Sequence, residues 1–181
     1  MQAVEKKVYT YEDYAQLPEG APYQLIGGEL VMSPSPTPTH QRISLNLSVA
    51  LYLFVKEHDL GQILVAPMDV YLSETDTPQP DILFIAKTRL GIIGEKYVDG
   101  APDLVVEILS PSAAYYDLKK KKRLYEASGV KEYWIVEPEA QEIEVYALVE
   151  GRFDLFGREA GQGTITSKLL AGFSVDLADV F

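Results

Sequence analysis

The strongest constraint on the fold of this chain is segment 104–109, LVVEIL, in which Glu107 is the only polar residue. A nearly continuous apolar run of this length is typical of a strand buried in the middle of a sheet. A helix is predicted soon after it, from residue 113 to residue 128, where Gly129 ends it. A buried strand followed by a helix favours an α/β (α+β) class, so we expect a mixed central sheet flanked by helices.

Local patterns predict the remaining elements. Thr10 begins a short capped helix, and Gly27-Gly28 marks a tight hairpin turn. Apolar residues at helical spacing predict the first long helix from about residue 40 to residue 58. Alternating or apolar runs bounded by turn residues predict further strands within 63–72, 81–86, 132–138, 142–149 and 151–157.

The composition limits the class of protein. The 181 residues include no cysteine, which excludes disulfide scaffolds, zinc ribbons, iron–sulfur clusters and thiol catalysis. We expect residues 1–181 to form one domain, with 147–181 as a β-rich C-terminal extension packed on the core or on a dimer partner. No apolar run is long enough for a membrane span and the N-terminal residues lack a signal-peptide pattern, so we expect a cytoplasmic protein.

The charge of the chain opposes nucleic-acid binding, but it is unevenly distributed. The 16 lysines and arginines against 27 aspartates and glutamates give a formal net charge of −11, which repels nucleic acid unless positive charge is concentrated locally. Residues 119–123, four lysines and an arginine, are such a concentration. A lysine run is ordinarily a solvated helix face, so this run alone does not establish binding.

Glu107 is the first candidate for chemistry. Strand alternation places it on the same face as Val105 and Leu109. A carboxylate in an apolar strand is costly unless it is paired or bound to a metal. An ion pair with a buried lysine or arginine, or a position near the rim of the sheet, is an equally good explanation, and strand chemistry leaves these alternatives open.

Asp81 is the second candidate, because it follows Gln79-Pro80 and opens a predicted strand. Taken alone, it is better explained as a turn residue that caps the loop, which is common after proline. Together with Glu107, it forms a pair of carboxylates on two strands, a pattern that suits a divalent cation. Oxygen ligands favour Mg²⁺ or Mn²⁺, and a chain with no cysteine and two histidines is a poor candidate for zinc.

Lys121 is distinguished from the other cations of the run by its helical spacing. Asp117, Lys121 and Tyr125 are four residues apart and therefore share one face of the second long helix. Lys121 can face the carboxylates while the neighbouring cations point elsewhere and stay solvated.

Several segments together resemble the Uma-type family of restriction endonucleases, within the PD-(D/E)XK nuclease superfamily. Any one segment alone is unspecific, but their joint occurrence in this order is specific. They lie between about residue 10 and residue 146 and comprise YQLIGGEL (23–30), SPSP (33–36) with His40, QPDI (79–82), APDLVVEILSPS (101–112) and GVKEYWIVEP (129–138).

The resemblance implies a restriction endonuclease-like core and metal-dependent phosphodiester hydrolysis. Asp81 and Glu107 match the two acidic residues of the superfamily, which would hold one or two Mg²⁺ or Mn²⁺ ions. The usual lysine of the superfamily would fall at Leu109, and Lys121 on the following helix is the match in this family. Glu29 matches the early glutamate of the family and would complete the metal shell or orient Lys121.

The same resemblance gives further candidate residues, and it shows two positions at which this chain departs from the family pattern. His40 would contact the scissile phosphate, although a polar residue at a helix start is the more common role for this position. Asp69 and Tyr125 would support the metal ligands without binding the metal themselves. Gln24 stands where the family usually has an acidic residue, and Gly27 stands where it usually has an aspartate. If the early acidic residue of the site belongs at position 24, this chain lacks it.

The resemblance implies a Mg²⁺-dependent DNA endonuclease. Nucleases of this type commonly act as dimers because cutting two strands requires two sites, so we expect a homodimer. One alternative is a non-catalytic, oligomeric interaction module that keeps the nuclease fold, which the acidity and the residues at positions 24 and 27 favour. Another is a nuclease that acts on RNA or branched DNA, where shape matters more than sequence. The expected partners are nucleic acid and a second copy of the chain, without a membrane.

Overall fold

The computed structural model describes residues 7–33, 35–110 and 115–181, with residues 115–118 described by their backbone alone. The helices are α1 (Tyr11–Ala15), α2 (Pro38–Glu57), α3 (Tyr115–Ser128) and α4 (Leu177–Val180), with a 3₁₀ helix at Lys87–Ile92. The strands are β1 (Tyr23–Ile26), β2 (Glu29–Met32), β3 (Gly61–Val65), β4 (Val70–Tyr71), β5 (Ile82–Ala86), β6 (Val98–Asp99), β7 (Leu104–Ile108), β8 (Glu132–Glu137), β9 (Glu142–Val149), β10 (Arg152–Ala160), β11 (Thr164–Thr166) and β12 (Ser174–Asp176).

A mixed six-stranded sheet with the order β10-β9-β8-β7-β5-β3 forms the centre of the protein. Strands β7 and β8 are parallel, whereas the other neighbouring pairs are antiparallel. Strand β7 lies inside the sheet and all of its residues are buried, as its apolar sequence predicted. The mixed sheet flanked by helices confirms the predicted α/β class.

The two faces of the sheet are covered by different helices. On one face, α2 packs against alternate residues of the strands, and Phe173 and Leu177 of the C-terminal segment join the same cluster. On the other face, Tyr125 of α3 packs with Val105 and Tyr133. The residues of α2 that are buried recur every four positions: Ile43, Leu47, Leu51 and Val55.

Most local predictions agree with the structure, with small shifts at the ends of elements. Thr10 and Asp13 form a reciprocal capping box at α1. Helix α2 begins at Pro38, two residues before the predicted start, because proline fits the first helical turn, where its missing N–H is not needed. Helix α3 is followed by Gly129 in the left-handed region, and the predicted start of this helix at residue 113 lies outside the described residues.

The C-terminal segment contributes both to the sheet and to the core. Strand β10 forms one edge of the central sheet, and β11 pairs with β12 in a separate small sheet. Residues of this segment are buried beside α2, whereas Leu155 and Phe156 on β10 are exposed. In the described ranges, no helix has the combination of length and apolar character that crossing a membrane requires.

Candidate active site

Asp81 and Glu107 lie next to each other at the ends of two neighbouring strands. In the antiparallel pair of β5 and β7, Ile82 is opposite Val106, and continuing that register by one residue places Asp81 beside Glu107. The backbone N–H of Ile108 donates a hydrogen bond of 2.7 Å to Asp81 Oδ2. This bond fixes the Asp81 side chain against the strand that carries Glu107.

Glu107 is buried and bound by two side chains of α3. Lys121 Nζ donates to both Glu107 oxygens, at 2.9 and 2.8 Å, and Tyr125 donates its hydroxyl proton to Oε1 at 2.6 Å. The Glu107 and Lys121 side chains are 9% and 10% exposed, so this ion pair is largely shielded from solvent. The shared helix face predicted for Lys121 and Tyr125 is therefore the face that meets Glu107, and the side chain of Asp117 lies outside the described residues.

The electrostatics of this cluster reflect its burial. Burial raises the pKa of Glu107, and the charge of Asp81 raises it further, against the opposing effects of Lys121 and Tyr125. Burial and the neighbouring Glu107 raise the pKa of Tyr125 well above its ordinary value, so Tyr125 stays a neutral hydrogen-bond donor. The two carboxylates thus create a negative site that a cation would stabilise.

His40, in the first turn of α2, reaches the Asp81 carboxylate from the face of the sheet opposite α3. Its Nε2 lies 3.2 Å from Asp81 Oδ1, and the two side chains are 12% and 17% exposed. The hydrogen bond with Asp81 raises the pKa of His40, whereas burial opposes this effect. Within the described residues, Nδ1 of His40 is buried without a hydrogen-bond partner. His40 therefore contacts a candidate metal ligand, and it is more than a polar residue at a helix start.

A second polar network lies just before Asp81 in the chain. Tyr14 and Gln79 both donate to Asp69 Oδ1, each at 2.8 Å, and the backbone N–H of Gln79 donates to Gln24 Oε1 at 3.3 Å. Asp69 and Gln24 thus hold the segment that leads into Asp81. Tyr14 and Gln79 were missed as candidates in the sequence, and the only available signal was the position of Gln79 in the QPDI motif.

Glu29 lies beside the cation run of α3. It forms an ion pair of 3.3 Å with Lys120, the residue next to Lys121, and its side chain is 36% exposed. Its expected role, to complete the metal shell or to orient Lys121, stays a prediction.

The neighbouring cations are also not all solvated. Lys122 is half-buried over the ring of Tyr146, with Nζ 3.2 Å from the ring centroid, and burial lowers its pKa. Lys119 and Arg123 are exposed, as expected for cations on a solvated helix face.

One cleft of about 1650 Å³ connects most of these side chains. Its wall includes both carboxylates, Lys121 and His40, as well as the supporting residues Gln24 and Asp69. Asp81 and Glu107 thus both border the cleft. Tyr125 lies behind Glu107 and Glu29 lies outside the wall.

The donor set of the cleft fits a hard divalent cation that keeps much of its own water. Mg²⁺ is usually bound by one or two carboxylates together with waters and substrate phosphates. Asp81 and Glu107 supply two carboxylates, and in the described ranges no group of three His, Cys, Asp or Glu side chains forms a more complete cage. In the structure Lys121 supplies the positive charge at Glu107, so a metal ion would share this carboxylate with the lysine.

The mixed central sheet and the carboxylate–lysine cluster in its cleft define a restriction endonuclease-like α/β protein. The family described as "Uma2: Putative restriction endonuclease" matches residues 11–178, so the chain belongs to this family. The resemblance seen in the sequence is thereby confirmed.

Individual proteins and solved structures are also similar to this chain. An uncharacterized protein of Synechocystis sp. is 27% identical over 150 residues, which are 81% of this chain and 84% of that protein. A crystal structure described as "a putative nuclease belonging to DUF820" from Anabaena variabilis superimposes with a TM-score of 0.79 and 20% identity. The superposition covers 95% of this chain and 97% of the other, and it confirms the fold.

Proposed function

We propose that this protein is a Mg²⁺-dependent endonuclease that hydrolyses phosphodiester bonds in DNA, with Mn²⁺ as a substitute metal. The observation that carries the proposal is the placement of Asp81 and Glu107 side by side in one cleft, with Lys121 Nζ 2.8 Å from Glu107. Membership in the family described as "Putative restriction endonuclease" supports it.

Each residue of the cluster has a distinct role in the proposed reaction. Asp81 and Glu107 would hold the metal ion, which when bound lowers the pKa of a coordinated water and stabilises charge on the phosphate. Lys121 presents an ammonium group at the same place, where it stabilises negative charge that develops on a phosphate oxygen. Tyr125 holds Glu107 Oε1, and the Ile108 N–H holds Asp81 Oδ2, so both carboxylates are fixed before substrate arrives.

His40 and the network around Asp69 position these groups. His40 Nε2 contacts the Asp81 oxygen that the Ile108 N–H does not occupy. Gln24 and Asp69 hold Gln79, two residues before Asp81 in the chain. Gln24 therefore makes a structural contact where the family usually has an acidic residue, and the proposal needs no third acidic ligand at that position.

A second candidate function is a non-catalytic, oligomeric module. The buried ion pair of Lys121 with Glu107 favours it, because this pair balances the Glu107 charge without a metal ion. The net charge of −11 also weakens the approach of nucleic acid. In this case the cleft would bind neither metal nor nucleic acid.

Substrate and metal requirements separate these candidates in one experiment. The protein is incubated with supercoiled plasmid, single-stranded DNA, a branched DNA junction and single-stranded RNA, each with Mg²⁺ or with EDTA. We expect cleavage of plasmid DNA with Mg²⁺ and none with EDTA. Because Asp154 is an exposed carboxylate on β10, Asp154→Asn should cleave like the unaltered protein, whereas Asp81→Ala should not.

Three outcomes would contradict the proposal. Cleavage that persists in EDTA would exclude the metal mechanism. Cleavage of only the RNA or only the branched junction would show that plasmid DNA is not the substrate. No cleavage of any substrate, together with no binding of Mn²⁺ by calorimetry, would favour the non-catalytic module.

A further inference from the structure

The two edges of the central sheet are built very differently. Strand β10 at one edge carries Arg152, Asp154, Arg158 and Glu159, and its pairing is interrupted by a bulge between Leu155 and Gly157. Charges and bulges at an edge strand prevent it from pairing with another strand. Strand β3 at the other edge reads GQILV and has neither a charged residue nor a proline. This β3 edge therefore lacks the features that usually keep an edge strand single.

The backbone of β3 offers hydrogen-bonding groups on its outer side. In the described part of the chain, β3 has one neighbouring strand, β5. The backbone N–H of Ala66 donates to the backbone C=O of Asp81, and the backbone C=O of Leu60 accepts from the backbone N–H of Lys87. The even-numbered residues between Leu60 and Ala66 therefore bond to β5. Alternation along an antiparallel pair directs the N–H and C=O groups of Ile63 and Val65 away from β5. These groups are ready to pair with another strand.

Helix α2 beside this edge has an apolar outer surface. A helix on a protein surface usually carries charged residues on the side that faces solvent. Residues 43–55 of α2 include no charged residue, and Leu45, Val49, Tyr52 and Leu53 are between 47% and 63% exposed. Val49 and Tyr52 meet Ile63 and Val65 of β3 along a shallow groove of about 220 Å³. The apolar surface and the β3 edge therefore form one continuous patch.

We propose that this patch binds a second copy of the chain, with β3 pairing antiparallel to β3 of the other copy across a two-fold axis. A strand that pairs with itself in this way forms an isologous contact, in which the same groups serve both copies. The apolar surface of α2 would be covered in the same contact.

The charge distribution favours a second copy as the occupant of this patch. Each copy has a formal net charge of −11, so two copies repel each other over most of their surfaces. Segments 43–55 and 61–68 contain no charged residue, so they lack the anions that dominate the composition of the chain. Lys56 Nζ, 5.5 Å from the centre of the Tyr52 ring, is a cation at the border of the patch. A strongly basic partner would instead select an acidic surface, which this patch is not.

The position of the patch connects it with the cleft. Leu45 and Val65 also line the cleft that holds Asp81 and Glu107. A second copy paired along β3 would therefore lie at the rim of the cleft and bring the two clefts of the dimer near each other. The pairing itself does not depend on the nuclease activity, so its test needs no substrate.

Light scattering coupled to size-exclusion chromatography tests the pairing. We expect the unaltered protein to have twice the chain mass of 20.1 kDa. Val65→Pro removes an outward N–H without breaking the bonds to β5, and Val49→Lys places a charge on the α2 surface. Each should weaken self-association at least about 30-fold in sedimentation measurements, as expected when a central interface contact is lost.

A matched control on the opposite edge makes the result specific. Phe156→Lys places the same charge on exposed β10 and should leave the dimer intact. Because Val49 is exposed within one copy, Val49→Lys should leave that copy folded, with an unchanged far-ultraviolet circular dichroism spectrum, even if Val65→Pro does not. A monomeric unaltered protein would overturn the proposal. A dimer that survives Val49→Lys, or one that dissociates only with Phe156→Lys, would overturn it as well.

Discussion

Replacement of Glu107 by glutamine is expected to lower the rate of Mg²⁺-dependent DNA cleavage at least about 100-fold, since even a residue that only supports a metal ligand contributes about 10- to 100-fold. The substitution keeps the shape of the side chain but removes the charge that would bind the metal. It also removes the counter-ion of Lys121, whose Nζ donates to both Glu107 oxygens. Single-turnover cleavage of plasmid DNA measures the effect.

Loss of stability must be separated from loss of chemistry in this variant. Breaking a buried ion pair by removing one partner costs about 3–5 kcal/mol, because the other charge is left without a counter-charge. Glu107→Gln should therefore also lower the melting temperature. The double variant Glu107→Gln/Lys121→Met removes both charges, so it should recover most of the stability and remain inactive. A Glu107→Gln protein that keeps more than a tenth of the activity would contradict the assigned role.

Replacement of Glu132 by alanine is expected to lower the free energy of unfolding by about 4 kcal/mol, because four donors, two of them in buried contacts, lose their acceptor at once. Glu132 is fully buried at the start of β8. Its Oε1 accepts from Trp134 Nε1 at 2.7 Å and from the Ser167 hydroxyl at 2.6 Å. Its Oε2 accepts from the backbone N–H groups of Lys168 and Leu169 at 2.8 and 2.7 Å. This carboxylate thus fastens the C-terminal segment to the sheet.

Urea unfolding followed by tryptophan fluorescence measures this loss directly. Trp134 is the single tryptophan of the chain and is itself a donor to Glu132, so its emission reports on this contact. Glu139→Ala is the matched control, because Glu139 is exposed in the turn after β8 and should change stability by no more than about 0.5 kcal/mol. A Glu132→Ala protein within about 1 kcal/mol of the unaltered protein would show that the segment is held mainly by its apolar contacts.

The parts of the fold that follow from local patterns were predictable from the sequence. The interior position of β7, the hairpin of β1 and β2, and helix α2 each depend on residues close together in the chain. Glu132 was not predictable as a buried anchor, because its partners Ser167 and Lys168 are 35 and 36 residues away. Nothing in the local pattern around it distinguishes such a glutamate from an exposed residue at a strand start.

The candidate site was predictable to a similar degree. The helical spacing that separated Lys121 from its neighbours corresponds to its contact with Glu107, because a helix face is a local property. The contact of His40 with Asp81 and the network of Tyr14 with Asp69 join distant parts of the chain, so no local spacing predicts them. Glu29 contacts Lys120, the residue next to Lys121, and its expected role in the metal shell or in orienting Lys121 stays a prediction.

The acidity of the chain is partly explained by this arrangement. Asp81 and Glu107 are anions whose charge a bound metal ion would offset, and Lys121 already balances Glu107 in the structure. Most of the 27 acidic residues have no such explanation and still oppose the approach of nucleic acid. If the exposed cations near the cleft contact phosphates, the proposed cleavage should be fastest at low ionic strength, because salt weakens such contacts.

A crystal structure of the protein soaked in Mn²⁺, with the ion located by its anomalous scattering, tests the central claim most directly. The proposed mechanism predicts an ion bound by the carboxylates of Asp81 and Glu107, with Lys121 still in the same cleft. The mechanism would be contradicted by a structure with no anomalous peak at these two carboxylates and an unchanged Lys121–Glu107 ion pair. The Mn²⁺ concentration must be high enough to saturate exposed carboxylates elsewhere.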